Sequence, residues 1–274
     1  METLEFSIKP ARVTFPSGAI TLTGDIWQPP LVKPPLPIVI WNHSTGGRED
    51  DLFVDGPKKT STLELLLSMG FAVFAPIRRD YNTLSPGPYV PCGTDSSTKN
   101  RDEFVSQRIK DEAEDVTAAI AFTQTLNWVD HDRVMCFGHA FGAMASLVAA
   151  KNNGNLQGMV LFSTGAAIWA SSPLVQKLLI DSASKLKCPA LFLDSKNGYA
   201  AAPPSGELIG HAKAVQPDSN AVYYDTPHLS KSESHDLYAF GDDWYFDVRQ
   251  FVNRIKANSA DEEPNQGPVP LCCR

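Results

Sequence analysis

No stretch of the 274 residues stays apolar for the roughly 18–20 positions that a membrane-spanning helix needs. The opening METLEFSIKP carries glutamates and no apolar centre, so no secretory leader is expected and a cytoplasmic setting is. The five cysteines, Cys92, Cys136, Cys188, Cys272 and Cys273, form no disulfide framework, which fits a reducing compartment. Cys136 and Cys188 adjoin apolar runs and read as core thiols. The final Leu-Cys-Cys-Arg does not match a prenylation box. The histidines lack the spacing of a zinc motif, so neither a metal nor a cofactor is expected. Basic charge is also lacking. A net charge of −7 argues against nucleic acid as a partner and leaves a small molecule, acting on a monomer or homodimer.

One further absence is more specific. Residues 134–142 read Val-Met-Cys-Phe-Gly-His-Ala-Phe-Gly. In Gly-x-Ser-x-Gly, a buried strand runs into a sharp turn and then a helix, and the turn lifts a serine above the sheet edge. Here Gly138 and Gly142 hold the glycine positions and Ala140 stands where serine belongs. A strained non-glycine residue costs about 1–3 kcal/mol, and alanine offers no chemistry in return. The apolar run before the turn and the helix formers after it (AFGAMASLVAAK) supply the strand and helix the motif requires.

The rest of the chain alternates. Ala11–Phe15 and Ile20–Trp27 read as antiparallel strands around Pro16-Ser17-Gly18. Further strands are expected at 37–41, 71–76, 158–163, 189–193 and 221–224. Helices are expected at 61–69, with Gly70 as its stop, and at 101–128, 174–186, 207–215 and 243–255. This order predicts an α/β fold: a mostly parallel sheet covered by helices on both faces, with an antiparallel start. One domain over 1–257 is expected, with small lid elements at about 80–100 and 165–187. From Asn258 the chain turns polar and proline-rich, and a disordered tail over 258–274 is expected.

The chain resembles the α/β-hydrolase superfamily, and within it the dienelactone-hydrolase-like branch. The resemblance covers about Ile20 to Ile255. It rests on Trp41-Asn42-His43-Ser44-Thr45-Gly46-Gly47, Pro76-Ile77-Arg78-Arg79-Asp80-Tyr81, Gly138-His139-Ala140-Phe141-Gly142 and Ser234-His235-Asp236. It implies a triad in the order Ser, Asp or Glu, His. Ala140 holds the first place. The base falls to His235, which precedes an aromatic stretch and the last helix, with His228 as the alternative. The resemblance puts the acid after the strand at 189–193, near Asn197 or Gly198, neither of which is acidic. Asp194 at the strand end is the candidate, with Asp225, Asp236 or no acid at all as alternatives. The oxyanion donors implied are the N–H groups of Phe141 and Thr45, with Ser44 beside them.

Arg78 and Arg79 follow the strand at 71–76, whose C-terminal end should line the ligand crevice. A guanidinium there can hold a carboxylate bidentately, or can pair within the protein. Segment 80–100 is long for a connector and should bring Tyr81, Tyr89 and Cys92 toward the pocket. His43, His139 and Trp169 are further candidates for contact with substrate, Trp169 equally for the core. Two functions follow. The first is a carboxylic-ester or lactone hydrolase, an enzyme of serine type, silenced by alanine at its nucleophile position. The second is a naturally serine-less protein, either a lyase or cyclase using His235 as base or a ligand-binding receptor.

Overall fold

The computed structural model describes residues 9–45, 61–79, 98–200 and 203–261, with side chains for all but 98–100 and 259–261. Tyr81, Tyr89, Cys92, Cys272, Cys273 and most of the 80–100 segment lie outside the described residues.

Among the described residues, eight strands form one sheet in the order β1-β2-β4-β3-β5-β6-β7-β8. They are β1 Ala11–Ser17, β2 Ile20–Trp27, β3 Leu36–Asn42, β4 Ala72–Ile77, β5 Val129–His139, β6 Gly158–Phe162, β7 Ala190–Ser195 and β8 Asn220–Tyr224. β2 runs antiparallel to both β1 and β4, and every other pairing is parallel. The helices are α1 Thr62–Ser68, α2 Thr98–Thr123, α3 Phe141–Ala150, α4 Pro173–Ala183, α5 Ser205–Val215, α6 Lys231–His235 and α7 Gly241–Asp261. Single 3₁₀ turns occur at Trp169–Ser171 and Leu237–Ala239. The mostly parallel sheet with an antiparallel start is the architecture the sequence pattern predicts.

β3, β6 and β7 are buried along their whole length, as a sheet covered on both faces requires. Alternation along each strand divides the core in two. Ile38, Ile40, Val134 and Cys136 face a cluster completed by Ile109 and Val116 of α2, Leu147 of α3 and Leu179 of α4. Val39, Trp41, Met135 and Phe137 face a second cluster with Leu66 of α1 and Trp244, Val248 and Phe251 of α7. Burying one such side chain contributes about 1.5–3 kcal/mol. Cys136 and Cys188 are buried free thiols, and burial pushes the Cys136 thiol up to about 11.

α7 runs over Gly241–Asp261, beyond the 243–255 expected, and α2 and α6 differ from expectation for local causes. α2 ends at Thr123, five residues short of Trp128, because turns at Gln124 to Leu126 lead straight into β5. α6 is a helix where only a loop was expected. Ser230 accepts from the N–H of Glu233 while the Glu233 carboxylate accepts from the N–H of Ser230, a capping box that starts the helix. Among the described residues no helix is long and apolar enough to cross a membrane.

Candidate active site

β5 ends at His139 and α3 begins at Phe141, so Ala140 alone makes the turn. Its φ of 48° lies in the left-handed region, where a non-glycine residue is strained. The turn is held from both sides. The Ala140 N–H donates to the Phe162 carbonyl at 2.9 Å, and its own carbonyl accepts from Met144 at 3.2 Å. Both flanking glycines are required by space. A side chain at Gly142 would strike the carbonyls of Asn42 and His43, and one at Gly138 would strike the backbone of Ala143. This close approach seats the start of α3 against the loop that leaves β3. No side chain caps α3, so its first N–H groups, that of Phe141 foremost, have no partner within the helix. Thr45 and Ser44, on the adjoining loop, are half-buried.

That loop is braced from below. Arg78, just past β4 and fully buried, donates from Nη2 to the His43 carbonyl at 2.6 Å and from Nε to Glu112 at 2.6 Å. Arg108 holds the other oxygen of Glu112 at 2.8 Å and lies 4.9 Å over the Phe141 ring. Arg79 pairs with Asp115 at 3.0 Å and Glu114 at 3.1 Å. Both arginines are therefore engaged within the protein, the alternative that the sequence left open beside contact with an anionic substrate. Glu112 and Asp115 lie three apart on α2 and so share the face turned to the end of β4. His43 places Nδ1 2.7 Å from the Ser44 carbonyl, and burial, reinforced by Arg78, holds its pKa well below the usual histidine range.

His235 is the last residue of α6. Its carbonyl accepts from Ser163 Oγ at 2.7 Å and from His139 Nε2 at 3.1 Å, so it sits beside the residue that precedes Ala140. Its ring lies 5.1 Å from that of His139 and 4.9 Å from that of Tyr199. Burial lowers its pKa to about 4, and that of His139 to about 3, with the nearby His235 adding to the latter. His228 is exposed in the loop before α6. The Nδ1 atoms of His235 and His139 are both buried without a hydrogen-bond partner among the described residues.

Asp194, one residue before the end of β7, is buried, and its carboxylate accepts a hydrogen bond from Ser205 at the start of α5. It makes none to His235, the contact expected of a triad acid. Desolvation raises its pKa to about 6. A cavity of about 10 Å³ is lined by Asp194, Ser195, Tyr199, Ser234 and His235, among others. Hydroxyls of Ser195, Thr226 and Ser234 form a chain of 2.6 and 3.0 Å contacts that ties α6 to β7. Of the alternative acids, Asp225 is exposed, and Asp236 stands 3.6 Å from His139 Nε2. The Asn197 side chain accepts from the Thr226 N–H instead of meeting a histidine. Trp169 is half-buried and packs on the larger core cluster.

His139, His235 and Asp236 offer ligand atoms within 4.8 Å of one another, among the described residues. The His139 Nε2–H is already donated to a carbonyl, which leaves that atom no lone pair for a metal. Ser163 and Ser205 escaped the reading of the sequence. Ser163 had no legible signal, since its positive φ of 51° appears only in the fold. Ser205 follows a Pro-Pro pair, a helix-start pattern that does not tell what its hydroxyl meets.

No curated protein sequence matches the chain. Among solved structures, it superposes on the esterase Pf2001 of Pyrococcus furiosus at 16% identity and a TM-score of 0.65, over 90% of this chain and 93% of that one. A 2,6-dihydroxy-pseudo-oxynicotine hydrolase matches at 14% identity and 0.64, over 93% and 70%. The acylaminoacyl peptidase of Pyrococcus horikoshii matches at 15% and 0.61, over 89% of this chain and 41% of that one. At these identities the likeness shows the α/β-hydrolase fold alone. The sequence model of the dienelactone hydrolase family matches residues 27–212, and with most of the chain so covered, the protein belongs to that family.

Proposed function

We propose that this protein is a dienelactone-hydrolase-like enzyme scaffold that receives a small ester or lactone but forms no acyl-enzyme, because Ala140 stands at the nucleophile position. That single observation carries the reading: the strained turn and its two close-packed glycines are present, and the hydroxyl is not. In this reading Phe141 and Thr45 supply the oxyanion donors with Ser44 beside them. His235 faces the scissile bond, Asp194 stands behind it, and His43, His139 and Trp169 support the site. The proposed unit is residues 1–257, with 165–187 bordering the site. The buried free thiols fit a reducing, cytoplasmic setting.

The test is p-nitrophenyl acetate hydrolysis. The chain itself should run at the background rate, and Ala140→Ser should rise clearly above it. Loss of a triad nucleophile costs on the order of 10⁶-fold in kcat in a well-studied protease. An inert Ala140→Ser, alongside conversion of some ester by the original chain, would refute the reading.

A second reading, a natural non-hydrolytic lyase or cyclase or a receptor, is favoured by one observation. Asp194 is held by Ser205, and His235 Nδ1 has no acceptor among the described residues. A hydrolase silenced at position 140 alone would be expected to keep its acid on its base.

A further inference from the structure

The N-terminal ends of β5, β6 and β7 border a recess of about 680 Å³, a size that suits a small molecule. It is remote from the elbow. Asp132, in its wall, and Ala140 stand near opposite ends of β5, roughly 25 Å apart at about 3.3 Å per residue. An open α/β sheet places its ligand crevice at the C-terminal strand ends, so the fold does not supply this recess by default. We propose that it is a second binding site, and that it takes a neutral polyhydroxylated molecule, a sugar or cyclitol unit. The proposal is independent of the chemistry at position 140.

The wall is built from connections. Gln124 comes from the turn after α2, Asn155 and Gln157 from the link between α3 and β6, and Lys187 from the link between α4 and β7. The core fixes the elements on either side, so segments distant in sequence meet at a preformed surface. The Nε2 atom of Gln124 is buried and has no hydrogen-bond partner among the described residues. A buried amide N–H costs free energy until an acceptor reaches it, and its place in the wall lets a ligand supply one. Asn155 and Gln157 also keep their side-chain amides available. What bonds there is the backbone N–H, of Asn155 to Asn153 and of Gln157 to Val134. Gln216, by contrast, spends its amide on the Leu186 carbonyl at 3.2 Å.

The chemistry of the wall selects the ligand class. A carboxamide presents a donor and an acceptor in one plane, which is what a vicinal pair of hydroxyls needs. Charge is balanced. Asp218 is taken by Asn258 at 2.8 Å and stands 3.9 Å from Arg254, which leaves Lys187 and Asp132, one cation and one anion. That balance gives an ionic ligand no advantage over a neutral one. No Phe, Tyr or Trp lines the recess among the described residues, so a nucleobase finds no such ring to stack on. Leu156 and Ile255, both buried, offer a small apolar patch for the C–H face of a sugar ring.

The test follows the side-chain amides of Gln124 and Gln157 by ¹H–¹⁵N correlation on the full chain, each identified by its loss in Gln124→Met or Gln157→Met. Glucose, myo-inositol and maltohexaose are titrated, with citrate and adenine as controls. At least one neutral polyol should shift both amides saturably, and neither control should. A response to maltohexaose without one to glucose would assign the site to a sugar unit within a chain, and a response to glucose or inositol to the free molecule. Gln124→Met keeps the length of the side chain and removes an unpaired donor, so it should weaken binding at least tenfold without lowering Tm. Gln157→Met, at a half-buried position, should also weaken binding and gives the same answer if Gln124→Met fails to fold. Silence from all three polyols, a stronger response to citrate or adenine, or unchanged binding in both methionine variants would overturn the proposal. The titration should read the same in Ala140→Ser, whatever its esterase activity, so the failure of this site and that of the elbow reading are told apart.

Discussion

Ser163 donates its hydroxyl to the carbonyl of His235 at 2.7 Å, and it does so from a backbone at φ 51°. Ser163 follows β6 as Ala140 follows β5, and both turns lie beside the same histidine. The bond fixes the end of α6, a helix too short to hold itself. Ser163→Ala should lose about 1 kcal/mol through the missing donor. Ser163→Gly loses the same bond but relieves the left-handed strain, so it should be the less destabilised of the two. Thermal unfolding of both variants checks the order. A glycine variant less stable than the alanine one would mean that Ser163 is not strained.

The buried titratable groups oppose one another. The folded pKa of Asp194, about 6, lies above its ordinary value of 3.8. Its contribution is therefore most favourable below about pH 4 and is lost as the pH rises through 6. His139 runs the other way. Its folded value of about 3 lies below 6.5, so its contribution is full above pH 6.5 and is lost as the pH falls toward 3. His235, at about 4, adds to the histidine side. Stability should consequently fall between pH 6.5 and 4, less steeply than the histidines alone would make it. Asp194→Asn should stabilise the protein at pH 7, by about 3 kcal/mol at most, and leave it unchanged near pH 4. His139→Gln should flatten the acid limb. Urea unfolding at several pH values separates these slopes. A destabilised Asp194→Asn at pH 7 would show that the carboxylate is ionised and well paired.

Much of the fold was legible because its signals are local. β3, β5, β6 and β7 announce themselves as apolar runs, and Gly138 and Gly142 mark the turn by a spacing that survives loss of the serine. The α6 capping box was also written in the chain, as Ser230-x-x-Glu233, but a five-residue helix is too short for periodicity to reveal. Partners set by tertiary contact were not legible. Arg78 reads as a strand-end cation, and nothing local tells that Glu112, 34 residues on, faces it across the sheet edge. Ser205 gives no sign that it engages Asp194, because that contact needs α5 folded over the end of β7. Sequence thus locates the machinery, while the wiring between Asp194, Ser205 and His235 depends on where helices dock.

That wiring can be changed. If Ser205 keeps Asp194 from His235, Ala140→Ser should gain only part of the activity of an intact triad, since a wrongly protonated imidazole costs around 10⁴-fold in kcat in the protease triad. Adding Ser205→Ala leaves the Asp194 carboxylate without its donor, beside a cavity that His235 also lines. An unpaired buried carboxylate costs more than a paired one, so it has reason to turn toward the imidazole and draw its proton to Nδ1. Ala140→Ser/Ser205→Ala should therefore exceed Ala140→Ser by tenfold or more on p-nitrophenyl acetate. Ser205→Ala alone should stay at background. Equal rates for the single and double serine variants, with both folded, would separate Asp194 from the histidine altogether.

The arginines provide the sharpest contrast between structural and substrate roles. Arg78 is fully buried with Glu112, which Arg108 also holds. Breaking a buried pair by removing one partner is destabilising by about 3–5 kcal/mol. Arg78→Ala should fall in that range and, through the lost bond to the His43 carbonyl, loosen the loop that carries Thr45. Lysine should rescue little, because a single ammonium cannot reach Glu112 and the His43 carbonyl in the fixed directions of a guanidinium fork. Arg79 is a quarter exposed, and its carboxylate Asp115 keeps the hydroxyl of Ser17 as a second donor. Arg79→Lys should accordingly cost less than Arg78→Lys. Thermal unfolding gives the ranking, and p-nitrophenyl acetate hydrolysis in the Ala140→Ser background gives the consequence. Arg78→Lys should lower that rate by releasing the loop, whereas Arg79→Lys should leave it nearly unchanged. A selective loss of that rate in Arg79→Lys, with stability intact, would assign Arg79 to the substrate.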